Sequence, residues 1–573
     1  MAVHNAEIAA LFERLADLLE IEGANPFRVR AYRNAARIAA NHSKSLADMV
    51  AAGEDLSELP EIGKDLAKKI ATVVATGKLP LLEEVEARTP AALSELMKIE
   101  ALGPKRVKTL HRELDIRGLD DLKRAARSGR IRTLPGFGAK TERLIRERVE
   151  RFTGAPQRIK LAVAEDIAIP LVSYLEGIDG VKQVTVAGSF RRRKETVGDM
   201  DILVTARRGS KVIERFVRYE EVDEVISQGK TRSTVRLRSG LQVDLRLVPQ
   251  VSYGAALHYF TGSKAHNIAV RKIGVSKGYK INEYGVFEGE RRIAGKAEAE
   301  VYRKVGLRFI EPELREDRGE IEAARRNRLP HLVRLEDIRG DLHCHTRATD
   351  GHHSLPQMVE AAAERGYEYL AITEHSQHVR VAHGLDKQRL LEQIRAIDRL
   401  NEKGGDILVL KSIELDILED GKLDLPDSVL KQLDLTVCSV HYKFNLPRGK
   451  QTERILRAMD NPYFNVLAHP SGRLINEREP YDVDMEKIME AAKARNCFLE
   501  VNSQPDRLDL TDDACRLARD IGVGLVISTD AHSTSDLALM RLGVGQARRG
   551  WIEAGEVLNT RPLQELRKLL QRH

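Results

Sequence analysis

The chain has 573 residues and a formal net charge of +7, too long for one hydrophobic core, so several domains are expected. No apolar run is long enough to span a bilayer, and the N-terminal Met-Ala-Val-His-Asn-Ala-Glu lacks the pattern of a secretion signal. The four cysteines, Cys344, Cys438, Cys497 and Cys515, form no Cys-x-x-Cys pair, which suits a reduced, cytoplasmic compartment.

Charge and histidine divide the chain. Residues 1–310 carry 55 Lys and Arg against 41 Asp and Glu, the remainder 38 against 45, and residues 101–160 alone 17 against 7. A basic front half suits a polyanionic partner. Of the 17 histidines, 11 lie beyond residue 340, so the two halves are expected to do different chemistry.

Residues 1–80 read as helices. Ile8, Leu11, Phe12, Leu15, Leu18 and Leu19 have helical spacing, and Asn25-Pro26 caps a second helix from Phe27 to Ala40. Leu59 to Ile70 reads as a helix-hairpin-helix turning at Gly63. Such a turn offers backbone N–H groups at a helix N-terminus, which grip phosphate without reading sequence. The pattern recurs at Ile99 to Val107, with Gly103 and Lys105, and at Leu134 to Thr141, with Gly136, Gly138 and Lys140. Glu61 and Ala101 stand where the motif's leading glycine is usual, and the third copy is the most complete. Residues 81–154 hold the second and third copies.

Residues 155–250 are organised around Ala187 to Val204. Val184 and Val186 read as a strand entering the Gly188-Ser189 turn, and a basic loop leads to Asp199 and Asp201, which open a second apolar run, Ile202 to Val204. Residues two apart on a strand face one side, so both carboxylates project together. Asp244, in the alternating run Val243 to Val248, supplies a third. Three carboxylates suit Mg²⁺ shared with substrate phosphates, and the Gly-Ser turn with its arginines can hold a triphosphate. Together they describe in-line nucleotidyl transfer. Further strands are predicted at Ser233 to Leu237 and Leu241 to Val248.

Residues 251–312 continue with Tyr259-Phe260-Thr261-Gly262-Ser263-Lys264-Ala265-His266-Asn267, a basic helix through Arg271 and Lys272, and Asn282-Glu283-Tyr284. With these motifs in order, the first 312 residues resemble a family X DNA polymerase. The resemblance implies all-α lyase-like and fingers domains (1–80 and 81–154), a palm (155–250) and a thumb-like domain (251–312). It implies that Asp199, Asp201 and Asp244 bind two Mg²⁺, with Asp244 helping to activate the primer 3′-OH. Gly188, Ser189, Arg192 and Gly198 would hold the incoming triphosphate. Tyr259, Phe260 and Gly262 would flank its sugar, and Asn267 and Arg271 the minor-groove side of the new pair. Lys264 stands where relatives carry an acid. Lys69 falls at the place of a Schiff-base lysine used on 5′-deoxyribose phosphate, although a phosphate-binding or solvated lysine is the plainer reading.

Residues 313–338 are highly charged and read as a helical linker. From residue 339 the sequence repeats one device, an apolar strand-like run ending in a metal-competent side chain: His343 and His345, Glu374-His375, Glu414, His441, His469, Glu500 and Asn502, then Asp530 and His532. Alternating strand and helix implies a parallel barrel with these side chains gathered on one mouth. Imidazole with carboxylate suits Zn²⁺ or Mn²⁺. This half resembles the PHP (polymerase and histidinol phosphatase) family, a distorted (β/α)7 barrel with up to three metals. The resemblance carries over His343, His345, Asp350, His375, Glu414, His441, His469, Asp530 and His532 as ligands and leaves His352, His353, His378 and His383 outside the set.

As a whole chain the order resembles the bacterial PolX family. It implies a monomeric, gap-filling repair polymerase acting on gapped or primer-template DNA with dNTPs, coupled to a metal-dependent 3′–5′ exonuclease that could also process abasic or phosphate-blocked 3′ ends. Two alternatives stay open: a template-independent nucleotidyltransferase, and a DNA-end-binding scaffold with an inactive barrel.

Overall fold

The first helices follow their caps and apolar stripes. Asn25 Oδ1 accepts the Phe27 N–H at 2.9 Å and starts helix α2, Pro26–Asn41. Helix α1, Asn5–Glu22, buries Ile8, Phe12, Leu15, Leu18 and Leu19, and Phe12 packs on Tyr32 of α2. The computed structural model describes residues 5–41, 46–59, 62–97, 99, 102–151 and 158–571, and divides the chain into two units, Met1–Gln157 and Arg158–His573.

The first unit is helical. Gly63 caps α3, Lys64–Thr76, and Gly103 caps α4, Pro104–Leu114, in each case without a side-chain bond to the first-turn N–H groups. Gly138 directly precedes α5, Ala139–Arg151. The hairpin turns therefore leave helix N-termini exposed to solvent. Pro60, Glu61, Glu100 and Ala101, and the expected boundary near residue 154, lie outside the described residues.

In the second unit α6, Leu161–Glu176, buries Leu161, Ala164, Ala168, Leu171 and Leu175. Strands β1 (Val181–Val186), β2 (Asp199–Ala206), β3 (Val222–Gln228), β4 (Arg232–Leu237) and β5 (Gln242–Leu247) form one sheet in the order β1-β2-β5-β4-β3. Strands β2 and β5 are parallel and the other neighbours antiparallel. The expected strands are present. Edge strand β3 adds one that its charged sequence, Val-Asp-Glu-Val-Ile-Ser-Gln, concealed. Helices α7 (Tyr253–Thr261) and α8 (Lys264–Ser276) follow, then the hairpins β6 (Tyr279–Asn282), β7 (Gly285–Glu288) and β8 (Arg291–Ala294), and α9 (Glu298–Val305).

The expected helical linker over 313–338 is not a continuous helix. It holds one six-residue helix, α10 (Glu320–Arg325), and two 3₁₀ turns, Pro312–Leu314 and Leu335–Asp337. Gly319 and Pro330 interrupt it, and its charges are divided: Arg325, Arg326 and Arg328 are exposed, while others are not. Arg315 and Glu320 are fully buried, in ion pairs with Glu298 (2.5 Å) and His266 (2.7 Å).

Beyond it, β9 (Gly340–Asp341), β10 (Tyr369–Ile372), β11 (Leu408–Lys411), β12 (Glu414–Asp416), β13 (Val437–Ser439), β14 (Val466–Leu467), β15 (Phe498–Asn502) and β16 (Leu525–Ser528) all pair parallel. Bridges His375 to Glu414 and Cys344 to Ala531 join the two sheets into a ring. With β11 and β12 as one interrupted stave, the ring has seven. Tyr369, Ala371, Leu410, Val437 and Val526 pack on one face with Leu566 and Leu570 of the last helix; Leu370, Ile372 and Val409 pack on the other against the flanking helices. All four cysteines are buried, and none forms a disulfide.

Candidate active sites

In the palm, register brings the carboxylates together. Asp201 pairs with Asp244 across β2 and β5, and Asp199 lies two residues earlier on the same face. Burial, then the neighbouring Asp199 and Asp244 charges, push the Asp201 carboxyl up to about 6. Such carboxylates need a cation between them. Asp244 is drawn the other way: burial opposes its ionisation, but hydrogen bonds from Thr234 (2.6 Å), Arg232 (2.9 Å) and Gln242 (3.0 Å) hold its pKa down. Thr234 faces Asp244 in register, so the β4–β5 pairing carried the signal for it. Sequence reasoning missed all three partners.

Gly188 adopts φ +64°, and a Cβ there would stand 3.2 Å from Asp201 Oδ2, so the turn abuts the carboxylates. Ser189 follows it in the short helix Gly188–Arg191. Gly198 has Arg158 against it. Arg192, expected to hold the triphosphate, is engaged within the protein: Nε pairs with Glu316 at 3.0 Å and Nη1 donates to the Thr261 carbonyl at 2.7 Å. Arg191 makes a two-pronged pair with Glu298 and also binds Thr261 Oγ1. Tyr259 and Phe260 meet edge-to-face, and Arg246 lies 4.2 Å over the Phe260 ring. The Asn267 amide donates to the Tyr259 carbonyl at 2.6 Å and so fixes the bend before Gly262. Arg271 is exposed.

In the first unit Gly63, Gly103, Lys105, Gly136, Gly138 and Lys140 are exposed. Lys69 Nζ pairs with Asp65 Oδ1 at 2.5 Å, which favours the plainer reading over a free amine nucleophile.

The barrel mouth collects the whole predicted set. Three groups have ligand atoms within 4.8 Å of one another: His345, Asp350, His375 and His532; His343, His345 and Asp530; His375, Glu414 and His441. His469, the ninth, has Nε2 3.1 Å from Glu414 Oε1. His345 and His375 are each shared between two groups, an arrangement suited to adjacent ions. His343 Nε2, both His345 nitrogens, Glu414 Oε2 and Asp350 Oδ1 are buried without a hydrogen-bond partner, as ligand atoms facing a cation would be. Burial disfavours protonated His375, but Glu414 and Asp350 overcome it and push the ring up to about 10. The same contest, won by Glu414 and Asp416 at His441 and by Asp350 and Asp530 at His532, pushes each to about 9. The carboxylates thus demand positive charge that a divalent ion would supply. His469 and Asp530 hold positive φ, +28° and +51°, a strained backbone of the kind kept at functional sites.

The supporting residues were only half legible. Glu500 Oε1 accepts His343 Nδ1–H and the Ser528 hydroxyl, both at 2.6 Å, which turns His343 Nε2 toward the mouth. Its Oε2 accepts the His469 N–H at 2.6 Å. Asp416 lies 3.3 Å from His441 Nδ1. Glu374, a strand-end acid in sequence, faces Thr346 and Thr349.

A five-stranded palm with a carboxylate trio, a thumb and a histidine-lined barrel define a nucleotidyltransferase joined to a metal-dependent phosphoesterase. Family models match in that order: a helix-hairpin-helix domain at residues 3–79, a SAM-like helix-hairpin-helix tandem at 93–151, the DNA polymerase beta palm at 162–249, the DNA polymerase beta thumb at 256–316 and the PHP domain at 341–504. The chain belongs to the PolX family, a family X polymerase core fused to a PHP domain: it is 37% identical, across 100% of both chains, to the DNA polymerase/3′-5′ exonuclease PolX of Bacillus subtilis (strain 168). Its barrel half is 28% identical to a probable phosphatase of Thermoanaerobacter sp. (strain X514), over 38% of this chain and 89% of that protein. A probable phosphatase of Caldanaerobacter subterraneus subsp. tengcongensis is 28% identical over 34% and 77%. No helix among the described residues is long and apolar enough to cross a membrane.

Proposed function

We propose that the chain is a DNA-directed DNA polymerase coupled to a 3′–5′ exonuclease, filling short gaps in DNA repair as a cytoplasmic monomer. The observation that carries this reading is the pair of separate ligand sets, the palm aspartates and the barrel histidines, in a chain colinear with a relative named for both activities.

In the palm, Mg²⁺ would supply charge neutralisation of the triphosphate and of the primer 3′ oxygen. Asp199 and Asp201 hold the cations from one strand face. Asp244 receives the primer side, its position set by Arg232, Thr234 and Gln242. Ser189 and the backbone after Gly188 bind phosphate. Arg192 reaches it by exchanging Glu316 for the incoming anion. Tyr259, Phe260 and Gly262 line the sugar, and Asn267 and Arg271 the new pair. The exposed hairpin turns, with Lys105 and Lys140, hold the duplex by its phosphates, so binding weakens with salt and shows little sequence preference.

In the barrel, Mn²⁺ or Zn²⁺ would activate water and polarise the scissile phosphate. The nine mouth residues bind up to three ions, and Glu500 and Asp416 fix the histidine tautomers. The same set could serve abasic or phosphate-blocked 3′ ends.

Primer extension and 3′ degradation on gapped DNA, with Mg²⁺ and with Mn²⁺, test the reading. Asp199→Ala is expected to abolish extension and spare degradation, and His343→Ala to do the reverse. Loss of both activities in each folded variant would defeat it.

A further inference from the structure

Among the described residues, the buried and half-buried arginines around the barrel mouth are, with one exception, committed to a protein acceptor. Arg473 binds Glu195 and the Leu508 carbonyl, Arg454 the Ile417, Leu418 and Tyr442 carbonyls, and Arg389 the His383, Gly384 and Ala348 carbonyls. Arg478 donates Nε–H to the Gly472 carbonyl and lies 4.4 Å over Phe444. Arg507 differs. Its half-buried guanidinium has no hydrogen bond among the described residues, and its one ion pair, Nε to Asp530 Oδ2, is long at 3.9 Å.

The loop carrying Arg507 is nevertheless held firmly. It leaves the C-terminal end of β15, on the ligand face. The Gln504 side-chain amide donates to the carbonyls of Thr529 (2.9 Å) and of the ligand Asp530 (2.8 Å), and the Gln504 N–H donates to Asn502 Oδ1. The Arg507 N–H closes a turn on the Gln504 carbonyl at 2.9 Å. Two residues on, Asp509 accepts the Ser471 and Gly472 N–H groups just after the ligand His469. A five-donor cation is thereby fixed beside the ligand cluster with its donors unspent.

Neutralising Asp530 does not explain this placement. That carboxylate already faces His343 (3.5 Å), His345 (3.2 Å), His532 (3.8 Å) and the Asn502 amide (3.1 Å), all closer than Arg507. A guanidinium with free donors matches two non-bridging phosphate oxygens, in the manner of bidentate Arg–phosphate pairs.

The geometry points to Arg507 as a catalytic residue of the barrel: it grips the non-bridging oxygens of the scissile phosphate and stabilises the charge that gathers there during hydrolysis. This rests on the nuclease reading above. In that reaction water forms the new P–O bond, the bond from phosphorus to the leaving 3′ oxygen breaks, and one water proton ends on that oxygen. Arg507 keeps its own protons throughout and acts by charge and hydrogen bonding.

The test uses the full chain as Arg507→Gln and Arg507→Lys, loaded with Mn²⁺. Arg507→Gln is expected to lower kcat/KM for 3′ degradation by about 10²- to 10³-fold, as loss of one transition-state donor does. Arg507→Lys should recover only part, because an ammonium lacks the fork. Metal bound per chain should stay at the wild-type value, and affinity for inorganic phosphate, measured by competition, should fall by about tenfold or more. Primer extension by the same preparations reports folding. Degradation within about threefold of wild type, or activity lost only in proportion to lost metal, would overturn the assignment. If the wild type degrades nothing yet binds phosphate through Arg507, the nuclease reading falls while the phosphate contact stands.

Discussion

Glu500 shows how one buried residue sets a metal centre without touching metal. Its two oxygens hold four donors, from His343, Ser528, the His469 backbone and Asn502. Glu500→Ala leaves those donors unpaired and frees the His343 ring to turn, so metal affinity of the barrel is expected to fall by about 10- to 100-fold. Titration against a coloured chelator measures this directly; an unchanged affinity would show that His343 is oriented by packing alone. Asp350 came only from the resemblance to the PHP family, whereas the other eight of the nine candidate ligands could be read from the sequence because each ends, or nearly ends, an apolar run. The role of Glu500 could not, because a charged residue inside strand β15 gains its meaning from partners 157 and 28 residues away. The partner of Arg192 was hidden for the same reason: Glu316, which holds it here, is 124 residues along the chain.

Helix α7 carries Tyr259 and Phe260, and its placement depends on one close backbone approach. At Gly254 a Cβ would stand 2.1 Å from the Ala297 carbonyl carbon and 2.4 Å from the Glu298 nitrogen. The Gly254 and Ala255 N–H groups donate to the Lys296 and Gly295 carbonyls across that contact. Backbone cannot swing aside as a side chain can. Gly254→Ala is therefore expected to push α7 off the turn before α9, costing about 1–3 kcal/mol and weakening dNTP binding together with stability. Thermal unfolding and nucleotide titration of the variant measure both; an unshifted midpoint would mean that the turn before α9 gives way freely. Of this region only the basic helix through Arg271 and Lys272 was read from the sequence; helix α7 was not, nor was a glycine required by tertiary approach, because its partner backbone, at Ala297 and Glu298, lies far along the chain. The segment 313–338 misled because only part of its charge is solvated: Arg325, Arg326 and Arg328 are exposed, but Arg315 and Glu320 are buried in ion pairs.

At the scale of the second unit, those ion pairs join the polymerase core to the barrel. Helix α11, Asp512–Ile521, and helix α12, Met540–Arg549, meet the palm loop through Arg549, which pairs with Asp512 at 2.6 Å and Glu316 at 3.1 Å and donates to the Arg192 carbonyl at 2.8 Å. Arg318 joins Asp512 and Asp513, and Arg473 joins Glu195 of the palm loop at 2.6 Å. Burial opposes ionisation of Glu316, but Arg549, then Arg192 and Lys194, overcome it and hold the carboxyl at about 2, below its ordinary 4.5. A folded pKa depressed in this way stabilises the fold above pH 4.5, and the stabilisation is lost as pH falls from about 4.5 toward 2. The shift corresponds to about 3 kcal/mol. Glutamine cannot titrate, so Glu316→Gln should be less stable than wild type at pH 7, and the gap should narrow by about 2.5 kcal/mol as pH is lowered to 2.5, where the folded carboxyl is still partly ionised. Chemical denaturation of both proteins across that range, with chelator present to remove the acid release of metal, gives the two curves. Other acids titrate equally in both and cancel in the difference. Curves that run parallel would mean that Glu316 gains nothing from Arg549, and that the seam between polymerase and barrel is held by its apolar contacts instead.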